Sequence, residues 1–373
     1  MFIISSLGGG GAERKTALLA SSLAERGHSV SVLILSPRTR DEYDLSSAVV
    51  RIVIPEVLQK DSQGASIGRR TTLERIRNFC RKIRCIRKQI KKYNPRHVIS
   101  LGHPEGILAS LCKRSRNHHL IWTTSSIKSP KSNDPRYRIL FWLARMRKTQ
   151  VITQTNEIER EYRQRGFTNL KTIPNPVYIP QQGTHASHAE SCFRIIAVGR
   201  LIPEKSYETL IDALGILERS HTEWECKIVG KGPLQDDLEQ KCRDLAIDSR
   251  VNFTGWSNDI RSLLGNSDVF VMTSLVEGQP NALLEAMSES LACVSTNFSG
   301  GAASTLLGTT GAGLVVPVGD AKGIYNAIET LMFNLELRKK LGIRARSITE
   351  SFSIDKVTDH WIRELGMTGS GRP

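Results

Sequence analysis

Short apolar runs alternate with longer amphipathic segments along the chain, and the runs form two series. Each series has six runs: 2–6, 29–35, 50–54, 97–101, 120–124 and 151–155 in the first, and 194–199, 226–230, 251–255, 269–274, 292–296 and 313–318 in the second. Apolar and polar residues do not alternate within the runs, which is typical of parallel strands buried on both faces. The pattern therefore predicts an α/β chain with two doubly wound parallel sheets.

The segment 173–191 interrupts the alternation with three prolines and then small polar residues, which indicates a domain boundary. We expect a first domain over 1–178, a second over 179–352, and a C-terminal helix with a frayed tail over 353–373. The helix itself is predicted over 354–365. Open α/β sheets bind ligands beyond the carboxyl ends of their strands, so the cleft between two facing sheets is the expected site.

Charge, hydropathy and cysteine content indicate the kind of partner surface and the cellular compartment to expect. The net charge is +15, and residues 69–148 carry 22 Lys and Arg against three acidic residues, so one part of the chain presents a basic surface. No apolar run approaches the roughly 18–20 residues of a membrane span, and the N-terminal run lacks the basic flank of a signal peptide. Seven cysteines without a Cys-x-x-Cys pair indicate reduced thiols in a cytoplasmic protein.

Two helical patterns in the basic part are candidates for membrane contact. In 71–96, Lys and Arg surround an apolar stripe of period three to four, made of Ile76, Phe79, Ile83, Ile86 and Ile90. In 136–148, aromatic residues stand among further cations. A helix packed on its sheet with a solvated face would explain the stripe, but the one-sided charge favours an anionic membrane surface as partner of both segments. No recognised nucleic-acid module is present, so nucleic acid is not expected.

The loop after the first strand of the second series carries two cations. Arg200 follows Gly199 at the strand end. Lys205 precedes a helix whose start is marked by Ser206 as a predicted N-cap. Two cations beside a helix N-terminus can clamp a diphosphate, and the alternative is a pair of solvated loop charges.

Glycines follow strands at two further places. The glycines of 8–11 would let main-chain N–H groups approach an anionic or sugar ligand, and the alternative is a tight turn. A dinucleotide motif would need glycine in place of Glu13, and a P-loop would need glycine in place of Arg14. Gly230 also permits close backbone approach, and Trp256 could flank a nucleobase or lie in the core.

The stretch 275–290 places two carboxylates close together in the chain. Glu277 lies in the loop after a strand, and Pro280 suits the first turn of the next helix. Asn281 and Glu285 share one face of that helix. Glu285 could accept hydrogen bonds from a vicinal diol such as a ribose, and Glu277 would meet the next part of the ligand. A hydrolase acid and nucleophile would need a separation of about 5–10 Å, whereas the cations nearby favour an activated donor.

Together these motifs resemble glycosyltransferase family 4. The resemblance rests on Glu277-x7-Glu285, on Gly199-Arg200 with Lys205, on "VGKGPL" and on the early "GGGGAER", and it covers nearly the whole chain. It implies the GT-B fold, with two Rossmann-like domains facing a central cleft and a final helix that returns to the first domain.

The resemblance also implies roles for individual residues. Arg200 and Lys205 would hold the diphosphate and stabilise the leaving group. Glu277 would contact the transferred sugar as the third catalytic residue, and Glu285 would bind the ribose. The residues expected to bind the donor are Gly9, Gly10, Gly11, Gly199, Gly230, Trp256, Gly278, Asn281, Ala282, Leu283 and Glu285. Those expected on the acceptor side are His103 and Arg14.

The chain departs from the family pattern on the donor-sugar and acceptor sides. Many members have Gly-x-Pro after the glutamate helix, where this chain has Ser290 and Ala292. Ser304 stands where an acidic residue is common. Thr124 and Ser125 replace a His or Arg at another strand end.

These expectations describe a retaining glycosyltransferase of bacterial surface-polysaccharide assembly. It would move a hexose or N-acetylhexosamine from a nucleotide diphosphate sugar, with UDP expected, to a lipid-linked glycan acceptor at the cytoplasmic face of the cell membrane. No cofactor or metal is expected, and the chain has no Asp-x-Asp triplet. The alternatives are a GT-B nucleotide-sugar epimerase, which needs no acceptor, and a non-catalytic nucleotide-sugar-binding membrane scaffold.

Overall fold

A computed structural model describes residues 1–36, 41–54, 72–112, 118–123, 135–147, 149–180, 192–299 and 301–367. The strands are β1 Phe2–Ile4, β2 Ser31–Ile34, β3 Val50–Val53, β4 His97–Leu101, β5 His119–Thr123, β6 Gln150–Thr153, β7 Leu170–Thr172, β8 Phe193–Val198, β9 Trp224–Val229, β10 Val251–Gly255, β11 Val269–Met272, β12 Ala292–Thr296 and β13 Leu314–Val316. The helices are α1 Gly11–Glu25, α2 Thr72–Tyr93, α3 His103–Cys112, α4 Pro135–Met146, α5 Asn156–Gln164, α6 Tyr207–Glu218, α7 Gln235–Asp244, α8 Ile260–Gly265, α9 Asn281–Ser288, α10 Ala321–Phe333, α11 Leu335–Thr349 and α12 Ile354–Glu364.

The chain divides into two compact units, each built on one sheet. Unit 1 comprises Met1–Ile173 and Thr358–Pro373, and unit 2 comprises Pro174–Val357. The strand order is β3-β2-β1-β4-β5-β6-β7 in unit 1 and β10-β9-β8-β11-β12-β13 in unit 2, and all described strand pairs are parallel. The prediction of two doubly wound parallel sheets is confirmed, since each of the twelve predicted runs overlaps a strand.

Two details differ from the sequence-based expectations. The first sheet has a further edge strand, β7, which no apolar run marked because only Leu170 of its residues is buried. The division between the units falls at Pro174 rather than after 178. The physical reason is that Val177 already packs in unit 2, where its side chain lies in the core and its N–H donates to the C=O of Phe352 at 2.8 Å.

Helices cover both faces of the unit 2 sheet. Along β8, Ile195 packs in a core with α6, α7 and α10, whereas Ile196 packs in a second core with α8, α9 and α11. Burying each such aliphatic side chain contributes about 1.5–3 kcal/mol. The central strands are therefore held from both sides, and the loops at their carboxyl ends start from rigid positions.

In unit 1, four helices cover one face of the sheet and α1 contacts the C-terminal helix. Leu120 packs with α2 and α3, and Trp122, two positions further along β5 and so on the same face, packs with α4 and α5. The Oγ atoms of Ser22 on α1 and Thr358 on α12 lie within hydrogen-bond distance, with Oγ1 of Thr358 at 3.0 Å. The expected return of the final helix, predicted over 354–365, to the first domain is confirmed.

The basic helix α2 is buried only along its second half. Ile86 and Ile90 lie in the core and Ile83 packs partly against it, but Phe79 is 39% exposed. The expected apolar stripe therefore does not pack along its whole length, and the side chain of Ile76 lies outside the described residues. None of the described helices combines the length and apolar character needed to cross a membrane.

Each sheet has one point at which the chain reverses its direction of travel across the strands. In unit 1 the chain leaves β1 toward β2 and leaves β4 toward β5, so the reversal lies between the neighbours β1 and β4. In unit 2 it lies between β8 and β11 for the same reason. The loops diverge there and open a crevice, which is where open α/β sheets bind ligands.

Candidate active site

An ion pair spans the unit 2 crevice, from the loop after β8 to the loop after β11. Lys205 Nζ donates to Glu277 Oε1, and Ser274 Oγ donates to the same oxygen at 2.7 Å. The side chains of Lys205 and Glu277 are only 19% and 13% exposed. A pair so little exposed is weakly screened, so removing one partner costs more than the about 0–1 kcal/mol of a surface pair.

Further hydrogen bonds hold the two loops together. Thr273 Oγ1 donates to the C=O of Lys205 at 2.9 Å. The N–H of Leu275 donates to the C=O of Glu204, also at 2.9 Å. Both contacts fix the backbone on either side of the ion pair, so the position of Lys205 relative to Glu277 is set by the main chain as well as by charge.

The helix after Lys205 starts without the side-chain cap that the sequence predicted. Ser206 does occupy the N-cap position of α6, but its backbone is left-handed, with φ of 49°, and its side chain makes no cap hydrogen bond. Its Oγ instead lies 2.9 Å from Oγ1 of Thr209. A side-chain cap needs an extended N-cap backbone. The prediction that Ser206 is the N-cap residue is therefore confirmed, but the expected cap hydrogen bond is not formed.

Arg200 differs from Lys205 in its surroundings. It is exposed and forms no ion pair within the described part of the chain. Gly199 precedes it, and a Cβ there would lie 3.0 Å from the hydroxyl of Tyr207 and 3.3 Å from Cε of Lys205. Burial and then the charge of Glu277 raise the pKa of Tyr207. Tyr207 was not among the predicted site residues, because a tyrosine at the start of a helix is an ordinary core residue.

Glycines after β9 are required by contacts between neighbouring loops. A Cβ at Gly230 would overlap the carbonyl oxygen of Gly199, and a Cβ at Gly232 would overlap that of Leu201. The N–H of Leu201 also donates to the C=O of Lys231 at 3.0 Å. Packing between the loops is therefore sufficient to explain the glycine at position 230, whether or not it contacts a ligand. Trp256, just beyond β10, is half-buried rather than a core residue.

The helix α9 carries the second carboxylate. It begins at Asn281, one residue later than the prediction for Pro280 implied. Glu285 lies one turn into the helix and is 9% exposed. Leu283 is fully buried, and the partly buried Ala282 packs against the same core. Carboxylates near a helix N-terminus are stabilised by the aligned peptide dipoles.

Hydrogen bonds that were not predicted form a clasp between Asn175 and Gln279, the residue between Gly278 and Pro280. Gln279 Oε1 accepts from the N–H of Asn175 at 2.6 Å, and its Nε2 donates to the C=O of Asn175 at 3.2 Å. Asn175 Nδ2 also donates to Oδ1 of Asn281 at 2.9 Å. Both main-chain groups of the buried Asn175 are thus satisfied by one side chain. The available signal was an amide residue between two prolines.

The glycine run of unit 1 leads from β1 into α1. Gly9 has φ of 59°, Gly10 is the N-cap, and α1 begins at Gly11. A Cβ at Gly10 would overlap the carboxylate of Glu13, so glycine there lets Glu13 fold back over the start of the helix. The run therefore forms a strand-to-helix turn at the unit 1 crevice.

The residues expected on the acceptor side also belong to unit 1. Arg14 lies in the first turn of α1, with its guanidinium 5.9 Å from the ring centre of Tyr43. His103 is the first residue of α3, and its side chain lies outside the described residues. Glu105, in the same turn, is 4% exposed and accepts a hydrogen bond from Ser5. This pair was not predicted, although the sequence shows an acidic residue just beyond a strand end.

The positions that depart from the family pattern have identifiable places in the fold. Ser290 has φ of 61°, the left-handed conformation that glycine adopts without strain, so the chain keeps the backbone shape there without the glycine. Ala292 begins β12, and Ser304 begins a π-helical turn. Thr124 and Ser125 lie outside the described residues.

The unit 2 loops after β8 and β11, with the helix α9 that follows the second, carry the two predicted cations and the two predicted carboxylates. Arg200 and Lys205 supply the positive charge, and Glu277 and Glu285 supply the acceptors. Within the described ranges there is no group of three or more His, Cys, Asp or Glu residues that could hold a metal ion. This donor set suits a ligand made of phosphate and sugar parts.

Two known families match successive parts of the chain. Residues 10–176 match the family described as "Glycosyl transferase 4-like domain". Residues 186–348 match the family described as "Glycosyl transferases group 1". The two matches together span most of the chain and correspond to units 1 and 2.

Individual relatives agree with the family matches. The lipopolysaccharide core biosynthesis glycosyltransferase LpsE of Rhizobium meliloti is 33% identical over 46% of this chain, and the match spans about half of that relative, 49%. A Campylobacter jejuni α-1,4-N-acetyl-D-galactosaminyltransferase, named for an acceptor on PP-undecaprenol, is 24% identical over 97% of this chain and 96% of the relative.

The fold is shared with solved glycosyltransferase structures. The structure of Anabaena HepE in complex with UDP and glucose has a TM-score of 0.78 at 18% identity and covers 98% of this chain and 99% of its own. The expected GT-B architecture is therefore confirmed. With both family matches and this fold, the chain belongs to the GT-B glycosyltransferases of the family 4 type.

Proposed function

We propose that the protein is a retaining glycosyltransferase that moves a hexose or N-acetylhexosamine from a nucleotide diphosphate sugar to a lipid-linked glycan in bacterial surface-polysaccharide assembly. UDP is the expected nucleotide. The observation that carries the proposal is the Lys205–Glu277 pair across the unit 2 crevice. The pair supports the proposal because its cation could bind phosphate and its carboxylate could accept from sugar hydroxyls, and the two loops that carry them border the crevice.

Donor binding would rearrange this pair. Arg200 is exposed and meets the diphosphate first, and Lys205 then exchanges the carboxylate of Glu277 for phosphate oxygens. The exchange releases Glu277 to accept hydrogen bonds from the transferred sugar, while Ser274 still holds one of its oxygens. Glu285 accepts from the ribose hydroxyls. The ion pair therefore keeps both groups in position before the donor arrives.

The transfer step breaks the bond between the anomeric carbon and the phosphate oxygen. The electron pair leaves with the nucleoside diphosphate, so negative charge grows on phosphate and positive character on the sugar. Arg200 and Lys205, already in place, stabilise the first charge. The acceptor hydroxyl attacks from the face that the leaving group vacates and gives its proton to the departing phosphate oxygen, which retains the anomeric configuration. These cations supply the positive charge that a metal would otherwise provide.

The acceptor class is supported by the relatives. The Campylobacter enzyme is named for a glycan acceptor on PP-undecaprenol. An Escherichia coli relative, 31% identical over 46% of this chain, is named for α-D-GlcNAc-diphosphoundecaprenol. Such acceptors are anchored in a membrane, so an enzyme that uses them must work at its surface.

Two helices of unit 1 offer a surface for that membrane. On α2 the exposed cations are Arg77, Arg81, Arg84, Arg87, Lys88, Lys91 and Lys92. On α4, Trp142 and Met146 lie one turn apart and are 60% and 68% exposed. Basic residues near an anionic membrane contribute about 1 kcal/mol each, and tryptophan favours the interface. These features support the proposal that the protein binds peripherally at the inner face of the membrane.

Ligand-dependent unfolding tests the donor site. Wild type, Glu285→Ala and the control Glu336→Ala, which changes an exposed carboxylate of α11, are melted with UDP, GDP, ADP and TDP. A ligand at 100 times its dissociation constant adds about 2.7 kcal/mol. One nucleotide should raise the melting temperature of wild type and the control but not of Glu285→Ala. If none stabilises wild type, the donor-site proposal is contradicted.

Product analysis tests the reaction itself. The stabilising nucleotide is supplied with its common sugars, and the products are followed by NMR with an N-acetylhexosaminyl diphospholipid as acceptor. A glycan that keeps the anomeric configuration of the donor supports the proposal. An epimeric nucleotide sugar formed without glycan would identify the epimerase alternative, and an inverted linkage would contradict retention.

Vesicle co-sedimentation tests the membrane surface. Arg81→Glu, Arg84→Glu and Lys88→Glu are combined on α2, and a matched triple variant reverses the exposed Lys339, Lys340 and Arg344 of α11. Both variants change net charge equally. Wild type and the α11 variant should sediment with anionic vesicles, and the α2 variant should stay in the supernatant. Equal sedimentation of all three would refute membrane contact through α2.

A further inference from the structure

The unit 1 sheet has its own crevice, between β1 and β4, and a polar pair spans it. Ser5 directly follows β1, and Glu105 lies in the first turn of α3, which follows β4. Ser5 Oγ donates to Glu105 Oε1 across the gap between the two strand ends. The pair therefore occupies the position in unit 1 that Lys205 and Glu277 occupy in unit 2.

Only one member of this pair meets solvent. Ser5 is exposed, whereas Glu105 is 4% exposed. Burial raises the pKa of Glu105, and the hydrogen bond from Ser5 opposes that rise. A carboxylate can only accept hydrogen bonds, so Ser5 commits its single proton to Glu105 and offers only lone pairs to a ligand. A ligand atom that meets Ser5 Oγ must be a hydrogen-bond donor.

The local charge narrows the class of ligand further. The carboxylate of Glu105 behind Ser5 repels a phosphate or carboxylate ligand and favours a neutral donor such as a sugar hydroxyl. The glycine run begins at Gly8, three residues beyond Ser5, and its glycines add no side chains of their own there. The two pairs are thus chemically different, because Lys205 places a cation in one crevice and Ser5 places a neutral acceptor of hydrogen bonds in the other.

We infer that Ser5, positioned by Glu105, recognises a hydroxyl group of the acceptor glycan. The inference rests on the proposed function, in which the cationic unit 2 crevice takes the charged donor and leaves the unit 1 crevice for a neutral sugar. Ser5 is the residue that touches the ligand. Glu105 is a positioning residue, since it acts by fixing the direction of the Ser5 proton.

A double-mutant cycle between protein and sugar tests the inference. The full-length protein is saturated with the nucleoside diphosphate that stabilises it, and binding is measured by NMR saturation transfer. The probes are methyl N-acetyl-α-D-galactosaminide, methyl N-acetyl-α-D-glucosaminide and their 3-, 4- and 6-deoxy analogues. The variants are Ser5→Ala and Glu105→Gln, with Ser47→Ala and Glu25→Gln as exposed controls in the same unit.

Loss of one particular hydroxyl should weaken binding to wild type about 5–10-fold, or about 1–1.4 kcal/mol. Ser5→Ala should bind the parent sugar more weakly by the same factor and should not distinguish it from that deoxy analogue. Glu105→Gln should lose at least half of the discrimination, because an amide can donate to Ser5 and release its proton. Both control variants should behave as wild type. A merely structural role would weaken all analogues alike.

Three results would overturn the inference. The first is that nucleotide-loaded wild type binds no glycoside. The second is that wild type and Ser5→Ala discriminate equally between the parent glycoside and its deoxy analogues. The third is that Ser5→Ala loses affinity for the nucleotide and not for the glycoside. Nucleotide titration on the same samples separates this failure from that of the proposed function. If wild type binds a nucleoside diphosphate but one of these results is found, the inference about Ser5 is contradicted and the proposed donor site is not. If wild type binds no nucleotide, both proposals are contradicted.

Discussion

Replacing Lys15 with methionine should stabilise unit 1. Lys15 lies on α1 and is 4% exposed, and its Nζ has no hydrogen-bond acceptor among the described residues. The same atom lies 5.7 Å from the ring centre of Trp361 on α12. Burial lowers the pKa of Lys15 from 10.5 to about 7. Methionine keeps the unbranched apolar stem and carries no ionisable group.

The magnitude follows from proton linkage. The folded pKa of Lys15 is lower than the unfolded value, so unfolding takes up a proton between pH 7 and 10.5. The destabilisation is therefore fully present below about pH 7 and disappears above about pH 10.5. At 1.36 kcal/mol per pH unit, the penalty is about 4 kcal/mol at pH 7 and about 2 kcal/mol at pH 9. The free energy of unfolding of Lys15→Met should exceed that of wild type by these amounts.

Urea unfolding at pH 7, 8 and 9 measures the difference. Tryptophan fluorescence follows both units, through the buried Trp122 and Trp361 of unit 1 and the buried Trp224 of unit 2, and circular dichroism follows the whole chain. Other titrating groups cancel because the two proteins differ at one residue. The control is Lys91→Met, which changes an exposed lysine of α2 and should alter the free energy of unfolding by less than about 0.5 kcal/mol.

Two outcomes would refute the reasoning. If Lys15→Met is less stable than wild type, the ammonium group must be favourably solvated or paired in the folded state. If the variant is more stable by the same amount at pH 7 and pH 9, the gain comes from apolar packing and not from removal of a buried charge.

Three further substitutions test other parts of the fold. Ser290→Gly should raise the free energy of unfolding by about 0.5–1 kcal/mol, because it relieves a left-handed backbone with φ of 61°; a lower melting temperature would contradict this. Gly342→Ala should cost about 2–3 kcal/mol in chemical unfolding, since its Cβ would overlap the carbonyl oxygen of Ser290; a neutral effect would show that α11 can shift at little cost. Gln279→Leu should cost about 2–4 kcal/mol, because it leaves the N–H and C=O of Asn175 buried and unpaired, whereas an unchanged urea midpoint would show that water replaces the clasp.

The arrangement of strands was largely predictable from the chain. Runs such as 194–199 are apolar at successive positions because both faces of a central parallel strand are buried, and that requirement is local enough to read in a sequence. Edge strand β7 was not predicted, because Leu170 is its only buried residue and a single apolar residue does not form an apolar run. The apolar stripe of α2 predicted more burial than the structure has. The helical spacing of apolar residues continues at Phe79, although the helix no longer faces a core there.

The candidate site was predictable in its residue types but not in its pairings. Strand-end position pointed to Lys205 and Glu277 one at a time. Only the order of strands shows that β8 and β11 are neighbours, so that these two side chains form an ion pair although they are 72 positions apart. The same holds for Gln279 and Asn175, because the prolines beside Asn175 mark that residue but not its partner 104 positions away.

The sequence by itself determined two parallel sheets, the boundary region between them and the strand-end motifs of the family, because burial on both faces and turn chemistry act over a few residues. The tertiary structure alone decided which polar groups meet. Ser5 and Glu105, 100 positions apart, come together because the chain reverses its direction between β1 and β4. A pair across such a reversal depends on the order of strands in the sheet, which no short stretch of sequence encodes.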